Sequence, residues 1–162
     1  MKHNNIRVVA IDPSTKFFAV AFPLPDGAIG TAMLSPVPAV CIPFFRLLTK
    51  IGINTVVYEN CYSRLNIKTF AKLYHIMESF REELEVALPT LTFIALPPSK
   101  WQAAVLLEVG ENTHALRKGV SKVRSKVLAT SLLSRDPKSQ DICDAVCILH
   151  AVTKHNIGLE NA

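Results

Sequence analysis

The sequence predicts an α/β fold in which helices cover a five-stranded mixed β-sheet, and two features of the chain carry this prediction. Three β-like runs follow one another near the amino end, separated only by turns. After them, β-like runs alternate with longer segments of helical periodicity. Strands joined by tight turns pair antiparallel, whereas strands joined through helices pair parallel. At 162 residues, the chain is expected to form a single domain, residues 1–162.

The three amino-terminal runs predict an antiparallel meander. They cover residues 6–12, 17–22 and 28–34. The first run stops at Asp12, because Pro13 has no N–H to contribute to a β ladder. The sequence Pro25-Asp26-Gly27 predicts the turn that leads into the third strand. Because the first run is the most uniformly apolar, we expect it to be the central strand.

The rest of the chain is predicted to alternate between helices and two further strands. Strands are expected at residues 53–58 and 91–96, and helices at 42–50, 66–88, 99–107 and 139–153. Apolar residues at three- and four-residue intervals make 66–88 a long amphipathic helix, expected to cover one face of the sheet. Between residues 117 and 138, seven Lys or Arg side chains accompany a single acid. Along this basic segment the lysines Lys118, Lys122 and Lys126 form a stripe beside Val120, Val123 and Val127.

Composition narrows the class of protein. A hydrophobic content of 49% with 19% charged residues excludes a disordered chain, and no run is long and uncharged enough to cross a bilayer. The first strand begins close to Met1, so we expect an intracellular protein without a signal peptide. The net charge of +5 suggests a polyanionic partner. The four cysteines lack zinc-finger spacing and are expected to be small core residues: Cys41, Cys61, Cys143 and Cys147.

Four carboxylates are placed where they could meet. Asp12 and Glu59 each end an apolar strand, and their side chains would emerge side by side if those strands are adjacent and parallel. Asp141 and Asp144 lie one turn apart on the last helix, which could bring them over the same edge. Three of the acids also have a simpler explanation, since Asp12 falls in ordinary turn chemistry and Asp141 and Asp144 could be acids that favour the start of a helix. Together, four hard oxygen ligands without His or Cys favour Mg²⁺ or Mn²⁺, and two such ions serve phosphoryl displacement.

These motifs resemble those of the RuvC-type Holliday junction resolvases, in the ribonuclease H-like nuclease superfamily. The resemblance rests on Ile11-Asp12-Pro13-Ser14, Tyr58-Glu59-Asn60 and Asp141-Ile142-Cys143-Asp144-Ala145, in matching order along nearly the whole chain. It implies a ribonuclease H-like fold with Asp12, Glu59, Asp141 and Asp144 as catalytic, metal-binding acids. It further implies two Mg²⁺ ions per site, with Mn²⁺ as a substitute and no small-molecule cofactor. The expected protein is a homodimeric endonuclease that makes paired nicks across four-way DNA junctions.

The same resemblance suggests a DNA-binding set. Tyr62 falls where the family places an aromatic residue that stacks on the bases of the opened junction. Basic residues in the family's DNA-facing regions are expected to meet phosphates. They are Arg64, Lys68, Lys100, Lys118, Lys122, Arg124 and Lys126. The alternative readings are a packed aromatic for Tyr62 and an ordinary solvated helix face for the basic stripe.

Two positions depart from the family pattern. Ser14 stands where glycine usually follows Asp-Pro, and a side chain there would narrow the approach of the backbone to a phosphate. Gln102 aligns with a lysine common in bacterial members, and Lys100 is the nearest candidate to replace its charge. These departures affect the free space and the positive charge that the resemblance implies beside the scissile phosphate.

The sequence also fits other functions. The same fold would suit a nuclease for flaps, other branched DNA or RNA–DNA hybrids. It would also suit a non-catalytic junction-binding module in which some acids are only structural caps. An actin-like phosphotransferase needs two such domains and glycine-rich phosphate loops, for which this chain is too short, with only six glycines. If the protein is a dimer, the helix at residues 66–88 is the candidate interface.

Overall fold

The computed structural model describes residues 6–60, 66–105 and 120–159. Five strands form one sheet in the order β3-β2-β1-β4-β5. The strands are β1 (Val8–Pro13), β2 (Phe18–Pro23), β3 (Ile29–Leu34), β4 (Thr55–Glu59) and β5 (Thr92–Leu96). The helices are α1 (Pro38–Lys50), α2 (Ile67–Ala87), α3 (Pro98–Val105), α4 (Val120–Leu133) and α5 (Gln140–His155). The order of the predicted elements is confirmed, and α4 is an additional helix within the basic segment.

The sheet is mixed, with β1 at its centre as predicted. β1 pairs antiparallel with β2, and β2 pairs antiparallel with β3. On its other side β1 pairs parallel with β4, which pairs parallel with β5. Consequently the carboxyl ends of β1, β4 and β5 lie at one edge of the sheet.

Two apolar layers enclose the sheet, and the alternation of side chains along β1 assigns its residues to them. Val9 and Ile11 join the layer under α1 and α2, where Phe45 and Phe80 are fully buried. The opposite side chains, among them Val8, join the layer beneath α3, α4 and α5. α5 contributes more buried residues to that second layer than any other element. It packs directly on β1 and β2.

Capping residues fix the start of the two longest helices. The Asn66 side chain accepts a hydrogen bond from the N–H of Thr69 at the start of α2. The Ser139 hydroxyl accepts a hydrogen bond from the N–H of Asp141 at the start of α5. The αL residue Asn156 ends α5. No helix in the described part of the chain is long and apolar enough to cross a membrane.

Two of the differences from the predicted boundaries have a clear physical reason. α1 begins at Pro38 rather than Ile42, because a proline at the first helical position loses no hydrogen bond that the helix would make. β1 extends through Pro13, which lies opposite Phe18 as the last antiparallel pair. Proline is tolerated there because the parallel ladder with β4 has already ended at Ile11.

The valine stripe of the basic segment is not the face that α4 buries. Val123 and Val127 are exposed, at 65% and 51%. The face that is buried against α5 carries Ser125, Leu128 and Ala129 instead. Among the cysteines, Cys41, Cys143 and Cys147 are buried and free, as predicted, whereas Cys61 lies outside the described residues.

Candidate active site

Asp12 and Glu59 lie at the same edge of the sheet. Ile11 is opposite Tyr58 in the parallel ladder of β1 and β4, and each acid is the next residue along its strand. Glu59 also lies opposite Leu96, the last residue of β5. The two strands are thus adjacent and parallel, which is the condition that the sequence left open.

The amino end of α5 brings the other two acids to this edge. α5 packs across β1 and β2, with Asp141 in its first turn and Asp144 one turn later. Burial raises the pKa of the Asp12 carboxyl well above its usual range, and the charges of Glu59, Asp144 and Asp141 raise it further. The other three carboxylates therefore all lie within electrostatic reach of Asp12.

Asp144 is held by two neutral donors. Gln140 donates from Nε2 to Asp144 Oδ1 at 2.9 Å and to the hydroxyl of Ser125 at 2.6 Å. Ser125 is fully buried on α4. Burial raises the pKa of Asp144 to about 6, the hydrogen bonds from Ser125 and Gln140 oppose the rise, and the charges of Glu59 and Asp141 add to it. Sequence patterns indicated no role in the site for Ser125 or Gln140, although a buried serine needs a polar partner.

Glu59 is held by the only tryptophan in the chain. The indole Nε1 of Trp101 on α3 donates to Glu59 Oε2 at 2.6 Å. Trp101 is 1% exposed and packs in the layer beneath α3, α4 and α5. No sequence pattern indicates this contact, because 42 positions separate the two residues and no periodicity connects them.

The donor set suits a hard divalent cation. Carboxylate oxygens are the ligands that Mg²⁺ and Mn²⁺ prefer, and excess negative charge around Asp12 is what a cation would relieve. As they stand, however, no three or more His, Cys, Asp or Glu side chains among the described residues are arranged to hold an ion. Two of the acids instead point an oxygen at a protein donor, Trp101 for Glu59 and Gln140 for Asp144. The chemistry of the site fits a metal, and loading it requires these carboxylates to adjust.

α4 carries basic side chains near the acids. Ser125, which touches Gln140, lies between the exposed lysines Lys122 and Lys126 along the helix. Lys126 is also close enough to Cys143, the neighbour of Asp144, for its charge to lower the pKa of that thiol against the effect of burial. Its ammonium group pairs with Asp136 at 3.3 Å on the surface. Arg124 is half-buried on the same helix.

The other predicted DNA-binding residues are dispersed or lie outside the described residues. Lys68 is exposed in the first turn of α2, and Lys100 is exposed on α3 beside Trp101. Tyr62, Arg64 and Lys118 lie outside the described residues. A groove that the sequence did not suggest runs between β3 and the connection from α4 to α5, and its lining includes Arg135 and Lys138.

Ser14, which stands where the family usually has glycine, fits into a turn. Its hydroxyl donates to the carbonyl of Phe17 at 2.7 Å and accepts from the N–H of Phe17 at 3.0 Å. Ser14 is not among the described residues with a positive φ, so its backbone does not need glycine. The Gln102 departure leaves a half-buried neutral side chain next to Trp101, with Lys100 exposed on the same helix.

Comparison with known proteins agrees with this architecture. No protein-family model matches the chain, and no curated protein matches its sequence. Among solved structures the chain is similar to RuvC of Thermus thermophilus in complex with a Holliday junction substrate. That match has a TM-score of 0.65 and 13% identity, and covers 95% of this chain and 98% of that one.

Two further structures extend the match. A second Thermus thermophilus RuvC structure aligns with a TM-score of 0.61 and 16% identity over 94% of this chain and 98% of that one. The yeast mitochondrial Holliday junction resolvase Ydc2 aligns with a TM-score of 0.50 and 16% identity over 89% and 76%. The chain has the fold of the RuvC-type resolvases, which confirms the fold expected from the sequence. At these identities the likeness is one of fold.

Proposed function

We propose that the protein is a Mg²⁺-dependent endonuclease that resolves four-way DNA junctions. The observation that carries the proposal is Asp12, a carboxyl whose pKa is raised first by burial and then by the charges of three other carboxylates. Ionised acids crowded in this way repel one another and lower the stability of the folded protein unless a bound cation compensates their charge. Their place at the carboxyl edge of a RuvC-like sheet supports the nuclease class.

In this proposal Asp12, Glu59, Asp141 and Asp144 would hold two divalent ions. Bound there, such ions would activate water and stabilise the charge that develops on a phosphodiester. The protein's own contribution is to place the acids. Strand ends fix Asp12 and Glu59, whereas the Ser139 cap and the Gln140 hydrogen bonds fix the start of α5. Because the backbone positions of the acids are fixed, only their side chains would have to become ordered when ions and substrate bind.

The DNA would lie across α4 beside the acids. Lys122 and Lys126 flank Ser125, whose hydroxyl contacts Gln140 and so adjoins Asp144. Phosphates attract such cations regardless of sequence, which suits recognition of branched structure rather than base order. The proposed set also includes Lys68, Lys100, Arg124 and, outside the described residues, Tyr62, Arg64 and Lys118. The groove lined by Arg135 and Lys138 would extend this surface towards β3.

Paired nicks need two active sites, so we propose a homodimer with α2 at its interface. Leu73, Met77, Phe80 and Leu84 face the core, but other apolar residues of α2 face outward. Ile67 is 85% exposed and Tyr74 is 42% exposed, and both fall on one stripe with the exposed Ala71. This stripe is a surface that a second copy of the chain would cover.

Cleavage of a synthetic four-way junction tests the proposed function. With Mg²⁺ we expect paired nicks, and without it none, while linear duplex stays intact. Asp12→Asn should lower the cleavage rate more than about 100-fold, because a direct ligand matters more than its supporting shell. The same variant should still bind the junction. Cleavage by Asp12→Asn at the wild-type rate would refute the mechanism.

A panel of flaps, RNA–DNA hybrids and other branched DNA separates the junction resolvase from related nucleases. One observation favours a second candidate, a non-catalytic junction-binding module. Glu59 and Asp144 are engaged by protein donors, and the described acids are not arranged to hold an ion as they stand. This candidate predicts tight junction binding with no metal-dependent cutting of any substrate in the panel.

A further inference from the structure

Trp101 connects the core of the protein to its candidate active site. The indole is 1% exposed, and its Nε1 donates to Glu59 Oε2 at 2.6 Å. The ring packs with Leu96 and Val105 in the layer beneath the helices, so its position is fixed. A buried side chain of α3 thus restrains the carboxyl group that ends β4.

A buried indole N–H needs an acceptor, but a carboxylate at the edge of a site is an unusual choice if packing is its only purpose. An uncharged donor leaves the negative charge of Glu59 in place, whereas a lysine or arginine would neutralise it and compete with a cation. Fixing the side chain in the folded protein also removes rotamers that ligand binding would otherwise have to exclude. The contact therefore has the properties of a support for a metal ligand.

We propose that Trp101 is a positioning residue that orients Glu59 to hold a divalent cation. The inference rests on the proposed function, in which Glu59 is a metal ligand. Hydrogen-bonding partners of ligating carboxylates affect metal affinity about 10–100-fold. Trp101 touches neither substrate nor ion in this role and acts through the orientation of Glu59.

The first experiment measures Mn²⁺ affinity by calorimetry without DNA. Trp101→Phe keeps an aromatic ring in the core and removes the N–H donor, so we expect Mn²⁺ affinity to fall about 10-fold or more. The matched control is Phe80→Leu, which trims a fully buried ring on the opposite face of the sheet. The control should lose thermal stability and keep Mn²⁺ affinity. A Trp101→Phe variant that loses stability but binds Mn²⁺ like wild type would reduce Trp101 to a core residue and overturn the inference.

The second experiment uses Trp101 itself as the reporter, because it is the only tryptophan in the chain. Adding Mg²⁺ to the wild-type protein should change the indole emission, since the carboxylate that accepts its hydrogen bond also takes up the ion. Glu59→Gln keeps an oxygen acceptor for the indole but loses the charge, so the emission should no longer respond. This test needs no substitution of Trp101 and decides the question even if Trp101→Phe does not fold.

The outcomes separate the two proposals. If wild type binds no Mn²⁺, or if Asp12→Asn binds it equally well, the proposed metal site fails and the role of Trp101 fails with it. If wild type binds Mn²⁺ through Asp12 but neither Trp101→Phe nor the emission responds, only the positioning role fails. Loss of affinity in Trp101→Phe together with a Glu59-dependent emission change supports both.

Discussion

Ile11 lies opposite Tyr58 in the parallel ladder between β1 and β4, and this pair determines where the two strands deliver their acids. One residue further along each strand, Asp12 and Glu59 reach the same edge of the sheet. After burial, the charge of Glu59 is the largest influence that raises the pKa of Asp12. The electrostatic conflict in the site is therefore a direct result of strand register. It predicts that metal ions and pH act on stability through these acids.

Divalent cations should stabilise the folded protein. An ion that binds the native site and not the unfolded chain adds about 2.7 kcal/mol at a concentration of 100 times its dissociation constant. We expect Mg²⁺ to raise the melting temperature of wild type, and Asp12→Asn to lose most of that increase. The measurement is thermal unfolding with EDTA and with increasing Mg²⁺.

A matched acid serves as the control for this experiment. Asp26 is exposed in the turn before β3, where it accepts a hydrogen bond from the N–H of Ala28. Asp26→Asn should respond to Mg²⁺ like wild type. Equal stabilisation of wild type, Asp12→Asn and Asp26→Asn would indicate nonspecific ion binding and count against the site.

In EDTA, Asp144 should make the protein less stable as the pH rises. Its pKa in the folded protein is about 6, against 3.8 as the ordinary value. A carboxyl with a raised folded pKa contributes stability below its unfolded pKa, and that contribution is lost as the pH rises through the folded value. The loss between pH 4 and pH 7 is on the order of 1–3 kcal/mol.

Asp144→Asn isolates this contribution. The amide keeps an oxygen to accept the hydrogen bond from Gln140 but does not ionise. In EDTA the variant should be more stable than wild type at pH 7 and nearly equal to it at pH 4. Unfolding curves measured across this range give the difference directly. A constant difference at every pH would show that Asp144 titrates normally in the folded state.

The sheet and the positions of the four acids could be predicted from the sequence, because both depend on local signals. Apolar runs, turns and helical periods determine the strands and helices, and each acid stands at the boundary of such an element. The central place of β1 followed from its uniform apolarity, and the structure confirms it. The functional roles of the acids remain proposals.

The contacts that hold the acids could not be predicted from sequence patterns. Trp101 reaches Glu59 across 42 positions, and Ser125 meets Gln140 across 15, so neither pair shares an element. The sequence likewise did not show whether Val123 and Val127 face inward or outward. Periodicity identifies a helix and its stripes, but the packing of α4 on α5 decides which stripe is buried.

Lysines on α4 should contribute to junction binding through phosphate charge. Lys122→Ala and Lys126→Ala should each weaken binding and reduce the slope of log affinity against log salt by about 1. Lys50, exposed in the last turn of α1 on the other face of the sheet, is the matched control. The measurement is fluorescence anisotropy of a labelled junction in EDTA at several salt concentrations.

Stability separates loss of binding from loss of folding in these variants. The exposed ion pair of Lys126 with Asp136 is worth at most about 1 kcal/mol, so all three lysine variants should melt close to wild type. If Lys50→Ala lowers affinity and salt slope as much as the α4 variants, binding is not localised to α4. That result would contradict the proposed DNA surface.

The exposed apolar stripe on α2 should hold the dimer together, and a charge placed there should separate it. Ile67→Glu puts a carboxylate at a position that is 85% exposed in the single chain, so folding should be unaffected while the dimer dissociation constant rises at least about 10-fold. Val86→Glu is the matched control, because Val86 is equally exposed on the same helix but lies on a different side near its far end. Sedimentation of each protein over a dilution series gives the constants. A wild-type protein that sediments as a monomer at micromolar concentration would argue against the dimer, and equal weakening by both variants would place the interface elsewhere on α2.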